Sequence, residues 1–118
     1  MENRRAAGSR WEEQAADYLV GKGYRILERN FRSKTGEIDI VARHKDILVF
    51  VEVKARRNAN YGRPCEAVTP QKLRTISRTA EFYMCRFKCH DASARIDVLE
   101  IIETEGSLVF SHIENVTG

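Results

Sequence analysis

The 118-residue sequence predicts a mixed α/β domain, a small five-stranded mixed sheet flanked by helices in the order α-β-β-β-α-β-β. Three observations carry this expectation. Residues 9–20 and 70–87 repeat apolar side chains at helical spacing. Residues 37–43 alternate with a period of two, and residues 47–51 form the longest uninterrupted apolar run. Two more strand-like runs, 96–102 and 108–113, follow the second helical pattern.

The elements follow in order. Ser9 and Glu12 make a capping-box pattern at the start of the first helix. Trp11, Ala15, Tyr18 and Leu19 form its apolar stripe, and Gly21 and Gly23 end it. Residues 24–31 read as a strand with Tyr24, Ile26 and Phe31 inward, and Lys34, Thr35 and Gly36 make a turn. In the next strand Ile38, Ile40 and Ala42 are expected on one face, with Glu37, Asp39 and Val41 on the other. Asp46 sits in the tight turn before the central strand, residues 47–54, which reads as buried on both faces. Residues 55–68, with Asn58, Asn60, Gly62 and Pro64, read as a loop. Thr69 caps the second helix, Pro70 takes its first position, and Leu73, Ile76, Ala80, Tyr83, Met84 and Phe87 form its apolar stripe. The last two strands meet around Gly106.

Composition narrows the function classes. With 42% hydrophobic and 31% charged residues, residues 1–118 are expected to form one globular domain. A five-residue apolar run is far too short for a membrane span, and residues 1–10 are too polar for a signal peptide. Three cysteines without a framework spacing suit reduced thiols, so a cytoplasmic location and no membrane partner are expected. Cys85, Cys89 and His90 with Cys65 do not match a usual zinc spacing.

The net charge of +3 hides an asymmetry. Residues 54–78 hold seven basic side chains against the one acid Glu66, whereas residues 96–118 hold five acids and no Lys or Arg. Arg56, Arg57, Arg63, Lys72, Arg74 and Arg78 are therefore the candidate contacts to a nucleic-acid backbone, with a solvated charged face as the simpler alternative. Tyr61 in that segment is a candidate stacking residue or a plain loop anchor.

The central strand ends Phe50-Val51-Glu52-Val53-Lys54, which puts Glu52 and Lys54 on the face of Leu48 and Phe50. Charges at the end of a buried strand are costly unless they are paired or bind something. Folding the hairpin brings Asp39 beside Glu52, and strands lie about 4.8 Å apart, so the two carboxylates could share one hard cation. A neighbouring Lys54 would orient the attacking water and offset phosphodiester charge. The alternative is an ion pair of Lys54 with Asp39 or Glu52.

Gly36-Glu37-Ile38-Asp39-Ile40 followed by Phe50-Val51-Glu52-Val53-Lys54 resembles the PD-(D/E)XK nuclease superfamily. The likeness is nearest to the small bacterial YraN-type family, itself similar to archaeal Holliday-junction resolvases. It extends to Gly8, Glu12, Ala15, Ala16 and Leu19, to Gly23, Tyr24, Arg29, Asn30 and Phe31, to residues 67–70 with Lys72, and to residues 95–98. The resemblance implies a restriction-endonuclease-like core with Asp39 and Glu52 as metal carboxylates for Mg²⁺ or Mn²⁺. It implies Lys54 as the catalytic lysine and Glu12 as an acid near the metal. Gln71 matches a helix-two glutamine of part of the superfamily, but Thr75 stands where an aromatic is expected. The implied function is metal-dependent hydrolysis of DNA, branched repair or recombination intermediates included, with a homodimer as one assembly. A nucleic-acid-binding module without turnover, and a structural protein whose Asp39, Glu52 and Lys54 form only an ion-pair network, are the two alternatives.

Overall fold

The computed structural model describes residues 4–56, 68–89 and 91–117, with side chains from residue 11 onward. Arg57, Tyr61, Arg63, Cys65 and His90 lie outside the described residues. The elements are α1 (Arg4–Gly21), β1 (Arg25–Ser33), β2 (Gly36–His44), β3 (Ile47–Arg56), α2 (Pro70–Arg86), β4 (Ser93–Thr104) and β5 (Ser107–Ile113). They build the expected mixed sheet, with strands in chain order. β3 and β4 are parallel and every other neighbouring pair is antiparallel. Parallel neighbours need a crossover, which the segment containing α2 supplies. No described helix is long and apolar enough to cross a membrane.

The sheet is covered on both faces, as the apolar β3 requires. Ala15, Ala16 and Leu19 of α1 pack with Ile40, Ala42, Val49, Val51, Leu99 and Ile101 on one face. Ile76, Ala80 and Tyr83 of α2 pack with Phe31, Ile38, Val41, Leu48, Phe50 and Ile96 on the other. Odd and even positions of β3 thus feed two different cores, which is why its run of apolar residues does not alternate.

Three local expectations are corrected. α1 begins at Arg4, so Ser9 is inside the helix and is not its cap. In β2, Ile38 does not share a face with Ile40 and Ala42: it packs on the α2 side with Val41. The alternation breaks at Asp39, opposite Asn30, whose φ of 57° is left-handed, between the pairs Arg29↔Ile40 and Phe31↔Ile38. Phe87 caps α2 and is 47% exposed, although its ring lies 4.5 Å from that of Tyr83. His44 and His112 both join a polar cluster.

That cluster closes the α1 side of the sheet. Asp97 is fully buried and accepts from Arg95 Nε (3.0 Å) and the Asn115 N–H (2.9 Å), with His112 Nε2 2.8 Å away. Arg95 also donates to the Tyr24 hydroxyl at 2.7 Å, and the Tyr24 ring stacks on His44. Burial alone would raise the Asp97 pKa, but the bonds from His112, Asn115 and Arg95 outweigh it and hold the carboxyl below its usual value. The Arg95–Asp97 pair is the centre of a larger network.

α2 sits close against the β1–β2 turn. The Thr69 hydroxyl accepts the Lys72 N–H at 3.1 Å, and Pro70 occupies the first turn, where its missing N–H costs nothing. Thr79, fully buried, donates to the Thr75 carbonyl and is 2.9 Å from the Thr35 hydroxyl. A Cβ on Gly36 would meet Thr75 Cγ2 at 2.7 Å, so only glycine lets the helix approach this near.

Candidate active site

The site is made by a split between β2 and β3. Their ladder runs from His44↔Ile47 to Ile40↔Val51, and past that point the Val53 N–H donates to Asp39 Oδ2 at 2.8 Å. A side-chain carboxylate thus takes a backbone donor of β3, which turns Asp39 toward that strand. Its carboxyl also shares a hydrogen bond with Glu52, which is 5% exposed. Burial is the largest influence on Asp39, followed by the hydrogen bond and charge of Glu52. Together they push its pKa up from 3.8 to about 8, against the Val53 N–H, which lowers it. The charge of Glu12 adds to the rise.

Two lysines approach the other side of Glu52. Lys54 Nζ and Lys72 Nζ each lie 3.5 Å from Glu52 Oε2. Lys54 comes from the same strand two positions on, and Lys72 from the first turn of α2. Among the described residues no cation pairs with Asp39. A cavity of about 200 Å³ opens on the α1 side of this group, lined by Trp11, Glu12, Asp39, Val53 and Ala55. Two wider grooves, about 300 and 500 Å³, run between α2 and the C-terminal Val116 and Thr117, away from the carboxylates. The chemistry therefore selects the small cavity over the larger ones.

The structure brings Asp39, Glu52 and Lys54 together and sets Glu12 at the same cavity. Among the described residues no group of three or more His, Cys, Asp or Glu side chains forms a metal cage. Asp39 and Glu52 are the two described carboxyls that share a hydrogen bond here. A half-buried carboxyl whose proton affinity is raised beside a buried second one is a set that a hard dication would relieve, with water and phosphate completing its shell. Glu37 pairs instead with Arg32 at 3.6 Å. Cys85 is exposed and Cys89 half-buried, both as free thiols.

The described residues of the basic band do not form one surface. Lys72 points at Glu52. Arg56 pairs with Glu100, at 3.2 Å from both Nε and Nη2, and its side chain is 18% exposed. Arg74 and Arg78 are exposed on the outer side of α2, where they line the 500 Å³ groove, and no described acid pairs with them. Two residues escaped the sequence reading. Glu100 is 1% exposed, and its one signal is a single acid within the apolar run 98–102. Trp11 was legible only as part of an apolar stripe. It lines the cavity as well as packing on the α1-side core.

Comparison with known proteins places the chain. The model of the Uncharacterised protein family UPF0102 matches residues 11–101. A UPF0102 protein of Pelobacter propionicus is 53% identical over 114 residues, covering 94% of this chain and 81% of its own. One of Trichlorobacter lovleyi is 47% identical over 112 residues, covering 93% and 88%. One of Clostridioides difficile is 40% identical over 113 residues, covering 96% and 97%. A solved structure titled "Crystal structure of SSO0001" aligns over 94% of this chain and 51% of its own at 13% identity. Its TM-score of 0.35 is too low to bear on fold or function. With three quarters of its length matched and bacterial relatives this similar, the chain belongs to the UPF0102 family, the YraN-type family its motifs resemble.

Proposed function

We propose that this protein is a metal-dependent phosphodiester hydrolase acting on nucleic acid, with DNA as its first candidate substrate. The observation that carries the reading is Asp39, a half-buried carboxyl set against a second carboxylate, Glu52, with no described cation beside it. In this reading Asp39 and Glu52 hold Mg²⁺ or Mn²⁺, which would acidify a water and draw charge from a phosphoryl oxygen. Lys54 leaves its contact with Glu52 to orient that water and offset the phosphate charge. Water attacks phosphorus as the bond to the leaving oxygen breaks; the attacking water's proton passes to solvent, and a solvent water on the opposite side supplies the leaving group's proton. Glu12 adds negative charge at the cavity and strengthens its attraction for a dication. Lys72 supports a backbone phosphate from α2. Arg74 and Arg78, with Arg57 and Arg63, would contact flanking phosphates.

The ion-pair alternative has one observation in its favour, the approach of both lysines to Glu52. It does not account for Asp39, which a purely structural network would have paired with a cation or replaced by an apolar residue. The test incubates labelled linear, flapped and four-way DNA with Mg²⁺ or Mn²⁺, comparing wild type with Asp39→Ala and Glu52→Gln. The expected result is metal-dependent cleavage that falls about a thousandfold in both variants, the scale of several kcal/mol of lost electrostatic catalysis. Cleavage surviving both substitutions sinks the reading. Binding without cleavage that weakens steeply with salt would leave a binding module instead.

A further inference from the structure

We propose that Lys22 is an acylation site of this protein, its amine oriented and deprotonated by His112, and that it takes an acyl group from an activated donor, an acyl phosphate or a thioester. The proposal is independent of the hydrolase reading and stands on the polar cluster beside the C-terminal end of α1. Lys22 Nζ lies 2.9 Å from His112 Nδ1, and His112 Nε2 lies 2.8 Å from Asp97 Oδ2. The three run outward in a line: Asp97 is fully buried, the His112 side chain is 2% exposed, and Lys22 is exposed. The proton positions follow by elimination. The bonds to Asp97 keep it ionised, so it only accepts, and Nε2 carries a proton. A lysine nitrogen facing the ring donates, so Nδ1 is the bare lone pair.

This line suits an amine that has to react. A lysine attacks an acyl carbon as the free amine, after one proton of the ammonium has gone to solvent. One N–H of that amine stays bonded to Nδ1, which turns the nitrogen lone pair away from the ring. As the lone pair bonds to the acyl carbon, Nδ1 takes the N–H proton, and Asp97 steadies the imidazolium. The bond to the leaving oxygen or sulfur breaks with its electron pair, and the proton passes through water from Nδ1 to that atom. The amide product retains one N–H, which Nδ1 can accept. The surrounding charge agrees. Asp97 and Glu114 face one guanidinium, Arg95, so two carboxylates against one cation leave a negative charge for the imidazolium to balance. A carboxylate beside Lys22 would hold it as an ammonium, and among the described residues none pairs with it. Its side-chain partners are His112 and the ring of Tyr18, 5.3 Å from Nζ. Lys34, Lys45 and Lys88 are exposed too, but among the described residues no imidazole pairs with their amines.

The test incubates the whole protein with acetyl phosphate in one arm and acetyl-coenzyme A in the other, with no transferase present. Mass spectrometry of its peptides follows each lysine over time, so Lys34, Lys45 and Lys88 serve as controls within the same molecule. Lys22 is expected to acylate at least about tenfold faster than these three, below the roughly hundredfold that a well-positioned general base contributes. His112→Gln, whose amide can meet both neighbours but takes no proton, is expected to bring Lys22 down to the level of the controls and to leave the controls unchanged. Thermal melts check that this variant is folded, and if it is not, the wild-type ratio decides alone. A preference seen with one donor only supports the proposal and names that donor. A wild-type Lys22 that reacts no faster than the controls with either donor overturns it. So does a preference that persists undiminished in folded His112→Gln, because the base would then not be its cause.

Discussion

Replacing Asp39 with Asn should stabilise the protein when no metal is present. The folded-state pKa of Asp39 is pushed up from 3.8 to about 8, so between those values the folded chain holds a proton that the unfolded chain has released. Stability then falls as pH rises, because the folded state binds more protons. At pH 7 about three units separate the solution from the unfolded value, and at 1.36 kcal/mol per unit the burden is about 4 kcal/mol. Asn carries no charge, keeps an oxygen for the Val53 N–H, and can donate its amide to Glu52. Each of those bonds is worth about 1 kcal/mol and must form at Asn geometry, so a net gain of about 2 kcal/mol is expected at pH 7. The gain should vanish near pH 5 and turn into a loss of about 1–2 kcal/mol near pH 4, where the charge burden is gone and only the cost at the two bonds is left. Urea unfolding in chelator at pH 4.5, 6 and 7.5 measures it. A variant no more stable than wild type at pH 7.5, or a difference that does not grow with pH, would refute the reasoning. Added Mn²⁺ should reverse the order, stabilising the wild type and leaving Asp39→Asn unchanged. Greater stability with less activity is the pattern expected where a fold carries an unfavourable charge for its function.

Asp97 should show the opposite pH behaviour. Its folded pKa is held down, so its contribution is present above the unfolded value and is lost as pH falls through the folded one. Asp97→Asn should cost about 3–5 kcal/mol at pH 7, since Arg95 would lose its buried partner, and clearly less in acid. Urea midpoints at both pH values check it, and a cost that is constant with pH would contradict it. Gly36→Ala must displace Thr75 of α2, because the new methyl would lie 2.7 Å from Cγ2, and should cost about 1–3 kcal/mol by overpacking. Pairing it with Thr75→Ser, which removes that methyl, should recover part of the loss in thermal melts.

Much of the fold was legible because its signals are local. The Thr69-Pro70 start of α2, the hairpin turn at Asp46 and the continuous apolar run of β3 each act over a few residues, and all three stand where the sequence places them. Ser9 misled because a capping pattern requires the helix to begin there, and α1 begins five residues earlier. The face of Ile38 was misread because strict alternation assumes an unbroken ladder, and Asn30 and Asp39 interrupt it together.

The sequence by itself determined the order of elements, the central place of β3, and that Asp39, Glu52 and Lys54 would be neighbours, since a hairpin and a two-residue step are enough to bring them together. Tertiary structure alone decided where the other charges go. Lys72 turns toward Glu52, Arg56 toward Glu100 across 44 residues, and His112 toward Asp97 across 15. A long charged side chain has many possible partners along a sequence. Which one it takes depends on the desolvation of the acid it meets, and that is fixed only when the sheet and both helices have packed.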